Sequence, residues 1–115
     1  MKSIIDEINT FRDEREWRQF HSEKDLAISV SLEANELLEL FQWKTSEEVI
    51  ETKRENLKEE IADVVIYAYM LADNLGFDMD SIIREKLAKN SEKYPVSKSK
   101  NSNKKIHRVI KKMGY

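Results

Sequence analysis

The 115-residue chain carries 22 acidic and 20 basic side chains but only two glycines, one proline and no cysteine. Lacking cysteine, it can form neither a disulfide nor a thiolate metal site, and a reducing cytoplasm is its expected setting. So few turn-forming residues argue against a many-stranded sheet and predict one all-α domain of long helices. The N-terminus has no apolar signal-peptide core, and no stretch approaches the ~18 apolar residues of a membrane span.

The near-neutral balance hides an asymmetry. Before Pro95 there are 22 acidic against 13 basic side chains; after it there are seven basic ones and none acidic. An acidic body is a poor general nucleic-acid binder and a reasonable cation binder.

The first helix is expected from Ser3, with Asp6 completing a capping box and Ile4, Ile5, Ile8 and Phe11 in helical register. Trp17 to Asp25 is aromatic and polar without clean periodicity. It reads as the end of that helix plus a connection, the kind of segment that often carries binding residues. A second, central helix is expected from Asp25 or Leu26 to Trp43. A third starts near Thr45, capped by Thr45 and Glu48, and breaks near Asn56 into a charged surface part and a buried part. Gly76 is its stop.

A fourth helix starts at Asp78 or Asp80 and ends before Tyr94-Pro95, since the residue preceding proline disfavours helix. Residues 96–103 read as a Ser/Lys/Asn linker. Ile106, Val109, Ile110 and Met113 then recur at i, i+3, i+4 and i+7 with basic residues between, which predicts a short amphipathic C-terminal helix.

Two acidic runs stand inside the most apolar helices: Glu33-Ala-Asn-Glu36 and Glu59-Glu60-Ile-Ala-Asp63. Residues three apart on a helix share a face, so Glu33 and Glu36 point together, as do Glu60 and Asp63. Their neighbours Leu32, Leu37, Leu40 and Phe41, and Ile61, Val64, Val65 and Ile66, read as core-facing. Carboxylates beside a core need a partner. Two facing pairs would make an all-oxygen pocket suited to a hard cation such as Mg²⁺. Alternatively, these acids decorate solvent faces, as a lone Glu-x-x-Glu usually does. A di-iron bundle would want Glu-x-x-His, and zinc would want clustered His; His21 and His107 fit neither. With Gly76 and Gly114 the only glycines, there is no phosphate-cradling loop. A metal would have to hold any phosphates.

Four motifs in order carry a resemblance: Trp17-x-x-Phe20-His21; Glu33-x-x-Glu36-Leu-x-Glu-Leu-Phe-Gln-Trp43; Glu59-Glu60-x-x-Asp63-Val-x-Ile-Tyr67; and Asn90-x-x-Lys93-Tyr94-Pro95. Over residues 4–95 the chain resembles the all-α nucleoside triphosphate pyrophosphohydrolases, within them the MazG-like and dCTP pyrophosphatase branch. The resemblance implies an antiparallel bundle of about four core helices that forms a homodimer or homotetramer. It implies hydrolysis of a nucleoside triphosphate to monophosphate and pyrophosphate for nucleotide-pool cleaning, with dCTP a candidate substrate.

By motif, Glu33, Glu36, Glu60 and Asp63 fall on the metal-ligand positions, for Mg²⁺ with Mn²⁺ able to substitute. Glu59, adjacent, is a candidate for a further Mg²⁺ or for orienting water, and a carboxylate such as Glu36 or Glu59 could accept the attacking water's proton. Trp17, His21, Trp43 and Tyr67 fall on nucleotide-contacting positions, and Asn90, Lys93 and Tyr94 where the family approaches the phosphates. Residues 1–95 would be the catalytic domain and 96–115 a basic linker and tail. The rival reading is a non-catalytic helical regulatory or toxin–antitoxin partner that docks through the basic tail.

Overall fold

A computed structural model describes residues 2–100. Among these residues there is no β-strand, and no helix is long and apolar enough to cross a membrane. The helices are α1 (Ile4–Glu14), a 3-10 helix (Trp17–Phe20), α2 (Glu23–Glu39), α3 (Ser46–Thr52), α4 (Arg54–Asn74), α5 (Met79–Lys93) and α6 (Val96–Ser99). They fall into two compact units, the first ending at Met79 and the second beginning at Asp80.

Local chemistry sets most helix ends. Ser3 and Asp6 form the expected capping box on α1. Ser22 Oγ accepts from the Asp25 N–H at 3.1 Å, so α2 starts at Glu23, ahead of the expected Asp25. Thr45 Oγ1 likewise accepts from the Glu48 N–H at 3.2 Å. At the end of α4, Gly76 takes φ 76°. Its N–H donates to Asp73 O and that of Phe77 to Ala72 O, a Schellman closure.

Several boundaries differ from expectation. The second helix does not reach Trp43. After Glu39 the N–H groups of Leu40, Phe41 and Gln42 each bond three residues back, and the chain then turns through Trp43 at φ 61°. Tightened i→i+3 turns followed by a left-handed residue end a helix. The break expected near Asn56 occurs at Lys53 (φ −124°). There the fully buried Val49 fixes α3, and α4 starts afresh. The segment read as a linker after Pro95 begins with α6. The amphipathic helix expected at 106–113 lies outside the described residues.

Within the first unit α2 and α4 pack most extensively. Leu26 of α2 clusters with Met70 of α4, while Glu33 and Glu36 meet Glu60, so the two helices run antiparallel. Ile8 of α1 completes this cluster, with Ile5, Ile66, Tyr67, Tyr69 and Leu71 against it. Not every apolar residue expected to face the core does so. Leu32, Ile61 and Val65 are exposed on the single chain, because α2 and α4 each carry apolar side chains on more than one face. On α1 Ile8 and Arg12 are buried and Ile5 is half-buried on one stripe, whereas Ile4 and Phe11 lie off it and are exposed on the single chain.

Gly76→Ala is expected to destabilise the first unit by ~1 kcal/mol, because a Cβ disfavours left-handed backbone. Nothing lies within 4 Å of the added Cβ, so the loss is conformational and not steric. A shift of the urea midpoint at unchanged slope would show it.

Candidate metal centre and adjoining cleft

Helical spacing and antiparallel packing together build an acidic seam between α2 and α4. Glu33, Glu36 and Glu60 each bring one carboxylate oxygen within 4.8 Å of the others, close enough to hold one metal ion. Asp63, one turn after Glu60, adds its negative charge to those acting on Glu33. Glu33 Oε2 and Glu60 Oε2 are buried and have no hydrogen-bond partner. Glu59, next to Glu60 in sequence, is exposed and outside the three-carboxylate cluster.

Crowded carboxylates resist ionising together. Burial, then a hydrogen bond with Glu36 and the charges of Glu36, Asp63 and Glu60, pushes Glu33 from its ordinary 4.5 to about 7. Burial and the Glu36 charge raise Glu60 as well. An all-oxygen donor set with two buried, unpartnered oxygens, in which Glu33 and Glu60 resist ionising, fits a hard divalent cation, which would discharge the repulsion and satisfy the orphaned oxygens.

A cleft of about 430 Å³ opens beside the seam. Asp63 and Tyr67 of α4 reach it from the acidic side; Trp17, His21 and Phe11 form the aromatic side, with Ile8, Ile66 and Met70 among its apolar lining and Glu7 also on its wall. The Trp17 ring stands edge-on to Phe11 at 5.6 Å and to His21 at 6.4 Å. Burial, with the nearby charges of Arg12 and Arg18, lowers the His21 pKa and keeps its imidazole neutral at pH 7. Burial, helped by Glu33, Asp63 and Glu36, raises that of the Tyr67 hydroxyl. The cleft therefore offers flat apolar faces and neutral polar edges, next to a cation-seeking cluster.

The sequence-predicted site residues distribute unevenly. Glu33, Glu36 and Glu60 come together; Asp63 stands outside that trio but acts on Glu33 by its charge and lines the adjoining cleft, which Trp17, His21 and Tyr67 share. Trp43 does not line it: its side chain is 94% exposed, held outward by the left-handed backbone after α2. Asn90, Lys93 and Tyr94 belong to the second unit, where the Tyr94 N–H donates to Asn90 O and the Lys93 ammonium lies 5.7 Å from the Tyr94 ring. Glu7, Ile8, Phe11, Ile66 and Met70 were not singled out as cleft residues. The spacing of the four apolar ones on α1 and α4 reads only as core and Glu7 only as a surface charge, and nothing local says that one end of this core is open.

Residues 28–109 match the sequence profile of the MazG-like family. The chain belongs to the MazG-like family. Its relatives include dCTP pyrophosphatase 1 of Mus musculus, 37% identical over 97 residues, and that of Homo sapiens, 36% identical over 100. The matches cover 80% and 83% of this MazG-like chain but 57% and 59% of those proteins, so the chain spans less than two thirds of their length. Among solved structures it resembles a pyrophosphatase from Archaeoglobus fulgidus with a TM-score of 0.75 and 42% identity, over 80% of this chain and 89% of that one.

The raised Glu33 pKa has a checkable consequence. A carboxyl protonated more readily in the folded state contributes stability that is full below 4.5 and lost as pH rises through about 7. Metal-free protein should therefore melt at lower temperature at pH 8 than at pH 6. A divalent cation should raise the melting temperature more at pH 8, where it no longer competes with the proton. Thermal melts at both pH values, with chelator and with added cation, measure both effects.

Proposed function

We propose that this chain is a divalent-metal-dependent nucleoside triphosphate pyrophosphohydrolase that releases a nucleoside monophosphate and pyrophosphate. The observation that carries this reading is the pairing of a carboxylate cluster holding two buried, unpartnered oxygens with an aromatic-walled cleft of about 430 Å³, roomy enough for a nucleobase. The dCTP pyrophosphatase relatives and the archaeal pyrophosphatase support it, and they make dCTP the first substrate to try.

Glu33, Glu36, Glu60 and Asp63 would hold the metal, for which Mg²⁺ is the best match and Mn²⁺ a workable substitute. Such an ion supplies charge neutralisation on phosphate oxygens and acidifies water. The chain itself positions and excludes. Trp17 and Tyr67 offer faces to a base, and the neutral His21 offers a polar contact to its edge. Water attacks the α-phosphorus, the bond to the bridging oxygen breaks, and pyrophosphate leaves. Glu36, exposed at the edge of the cluster, or Glu59 beside it, accepts the water's proton.

Trp43, Asn90, Lys93 and Tyr94 are assigned to the nucleotide and its phosphates. The exposed Trp43 suits contact with a site completed by a neighbouring copy. Assembly as a homodimer or homotetramer accounts for apolar side chains left exposed on both site helices: Ile28 and Leu32 on α2, Ile61 and Val65 on α4. Residues 1–95 would form the catalytic domain, residues 96–115 the basic tail, and the cytoplasm the place of action.

The deciding experiment is anion-exchange analysis of products from a panel of ribo- and deoxynucleoside triphosphates, with and without Mg²⁺. Monophosphate and pyrophosphate formed only with Mg²⁺ is the expected result. Diphosphate with phosphate would place the cleaved bond elsewhere, and no turnover on any substrate would defeat the proposal. Glu36→Gln should stay folded by circular dichroism and lose about 10²-fold or more in turnover. Glu33→Gln should also be inactive, yet melt higher than wild type without metal, since it removes a like charge from a crowded site.

A further inference from the structure

Arg12 is 0% exposed, and the proposed reaction gives it no role. A buried guanidinium is costly unless its donors are met, and hydrophobic packing usually serves stability at least as well. Its contacts lead from α1, across the end of α4, to the cleft wall. Arg12 Nε donates to Asn9 Oδ1 at 2.9 Å, and Nη2 donates to Asp73 Oδ2 and to Asn74 Oδ1, both at 3.1 Å. Asn9 Nδ2 also donates to Asp73 Oδ2, at 3.1 Å. Asn74 Nδ2 in turn donates to the main-chain oxygen of His21 at 2.7 Å.

The chemistry fixes the direction of this relay. A guanidinium only donates, so the Asn74 carbonyl must face Arg12. Its NH₂ is then left for the carbonyl of His21, the residue that caps the 3-10 helix. The same segment has a second tie. Arg18 bonds Asp13 and lies 3.7 Å from the Asp73 carboxylate that Arg12 uses. The segment that carries both cleft residues, Trp17 and His21, is thus tied to the end of α4 at Asp73 and Asn74. Asn74 is 11 residues beyond Asp63, about 16 Å along the helix at 1.5 Å per residue, so the relay is remote from the carboxylate cluster.

We infer that Arg12 and Asn74 are positioning residues that set the placement of Trp17 and His21 in the cleft, and so govern substrate affinity but not the chemical step. The kinetic part rests on the proposed activity; the positioning part does not.

Asn74→Asp tests both. It keeps an acceptor for Arg12 and replaces the donor to His21 with an oxygen that repels the carbonyl. The indole ¹H–¹⁵N resonance of Trp17 should shift and broaden in substrate-free protein, while that of Trp43, the other tryptophan, stays in place. KM for the best triphosphate should rise about tenfold, in line with one lost buried hydrogen bond, with kcat within about twofold. Arg12→Lys keeps the charge but loses the fork, and should show the same signature if Asn74→Asp fails to fold.

An unmoved Trp17 resonance overturns the inference, as does a fall in kcat at constant KM, or loss of the fold in both variants. If wild type turns over no triphosphate, the proposed activity fails and the kinetic part with it. The Trp17 resonance then still decides the positioning part.

Discussion

Negative charge held between two helices is the constraint on which the first unit depends. Glu33, Glu36 and Glu60 bring carboxylate oxygens within 4.8 Å of one another, with two oxygens buried and unmatched. Taken alone, that arrangement pushes α2 and α4 apart. What keeps them together is apolar contact further along the same pair, where Leu26, Met70 and Ile8 close over one another. The seam therefore joins a cohesive end to a repulsive one. The repulsive end is where a cation gains most, because binding there relieves a strain that the fold already carries.

The cohesive end is not purely apolar. Arg12 and Asp73 sit beside it, at the C-terminal end of α4, where a cation also meets the negative end of the helix dipole. This polar cluster shares α4 with the acidic one but has the opposite character: nearly every donor in it has an acceptor, with Arg12 Nη1 the exception. One helix thus presents a largely satisfied network and one with two orphaned carboxylate oxygens. The cleft lies along the stretch between them.

Much of this was legible in the sequence. Glu33–Glu36 and Glu60–Asp63 could be placed on common faces because helical spacing is a local property. The same holds for the caps at Ser3 and Thr45 and the stop at Gly76. Boundaries set by tertiary packing were harder. Nothing around Lys53 marks a break in the way Asn56 does; it is the burial of Val49 that puts it there. Trp43 belongs to an unbroken apolar pattern, yet backbone tightening after Glu39 removes it from the helix. Arg12 does not stand out in the sequence, since it directly precedes the charged run Asp13 to Glu16. Its place four residues after Ile8 and seven after Ile5 was the available signal, since that spacing puts a guanidinium on the buried stripe.

The connection between the two helices that carry the carboxylates shows how the cluster can tolerate change. From Leu40 to Lys53 the chain turns and then forms a seven-residue helix with Val49 as its one buried side chain. So short a helix has little stability of its own and borrows its order from that contact. The register of α2 against α4 is set elsewhere, by Leu26 and Met70. Residues could therefore be added to or removed from this stretch with little effect on how the carboxylates meet. In a lineage of such proteins, this is where length would drift while the centre stayed the same.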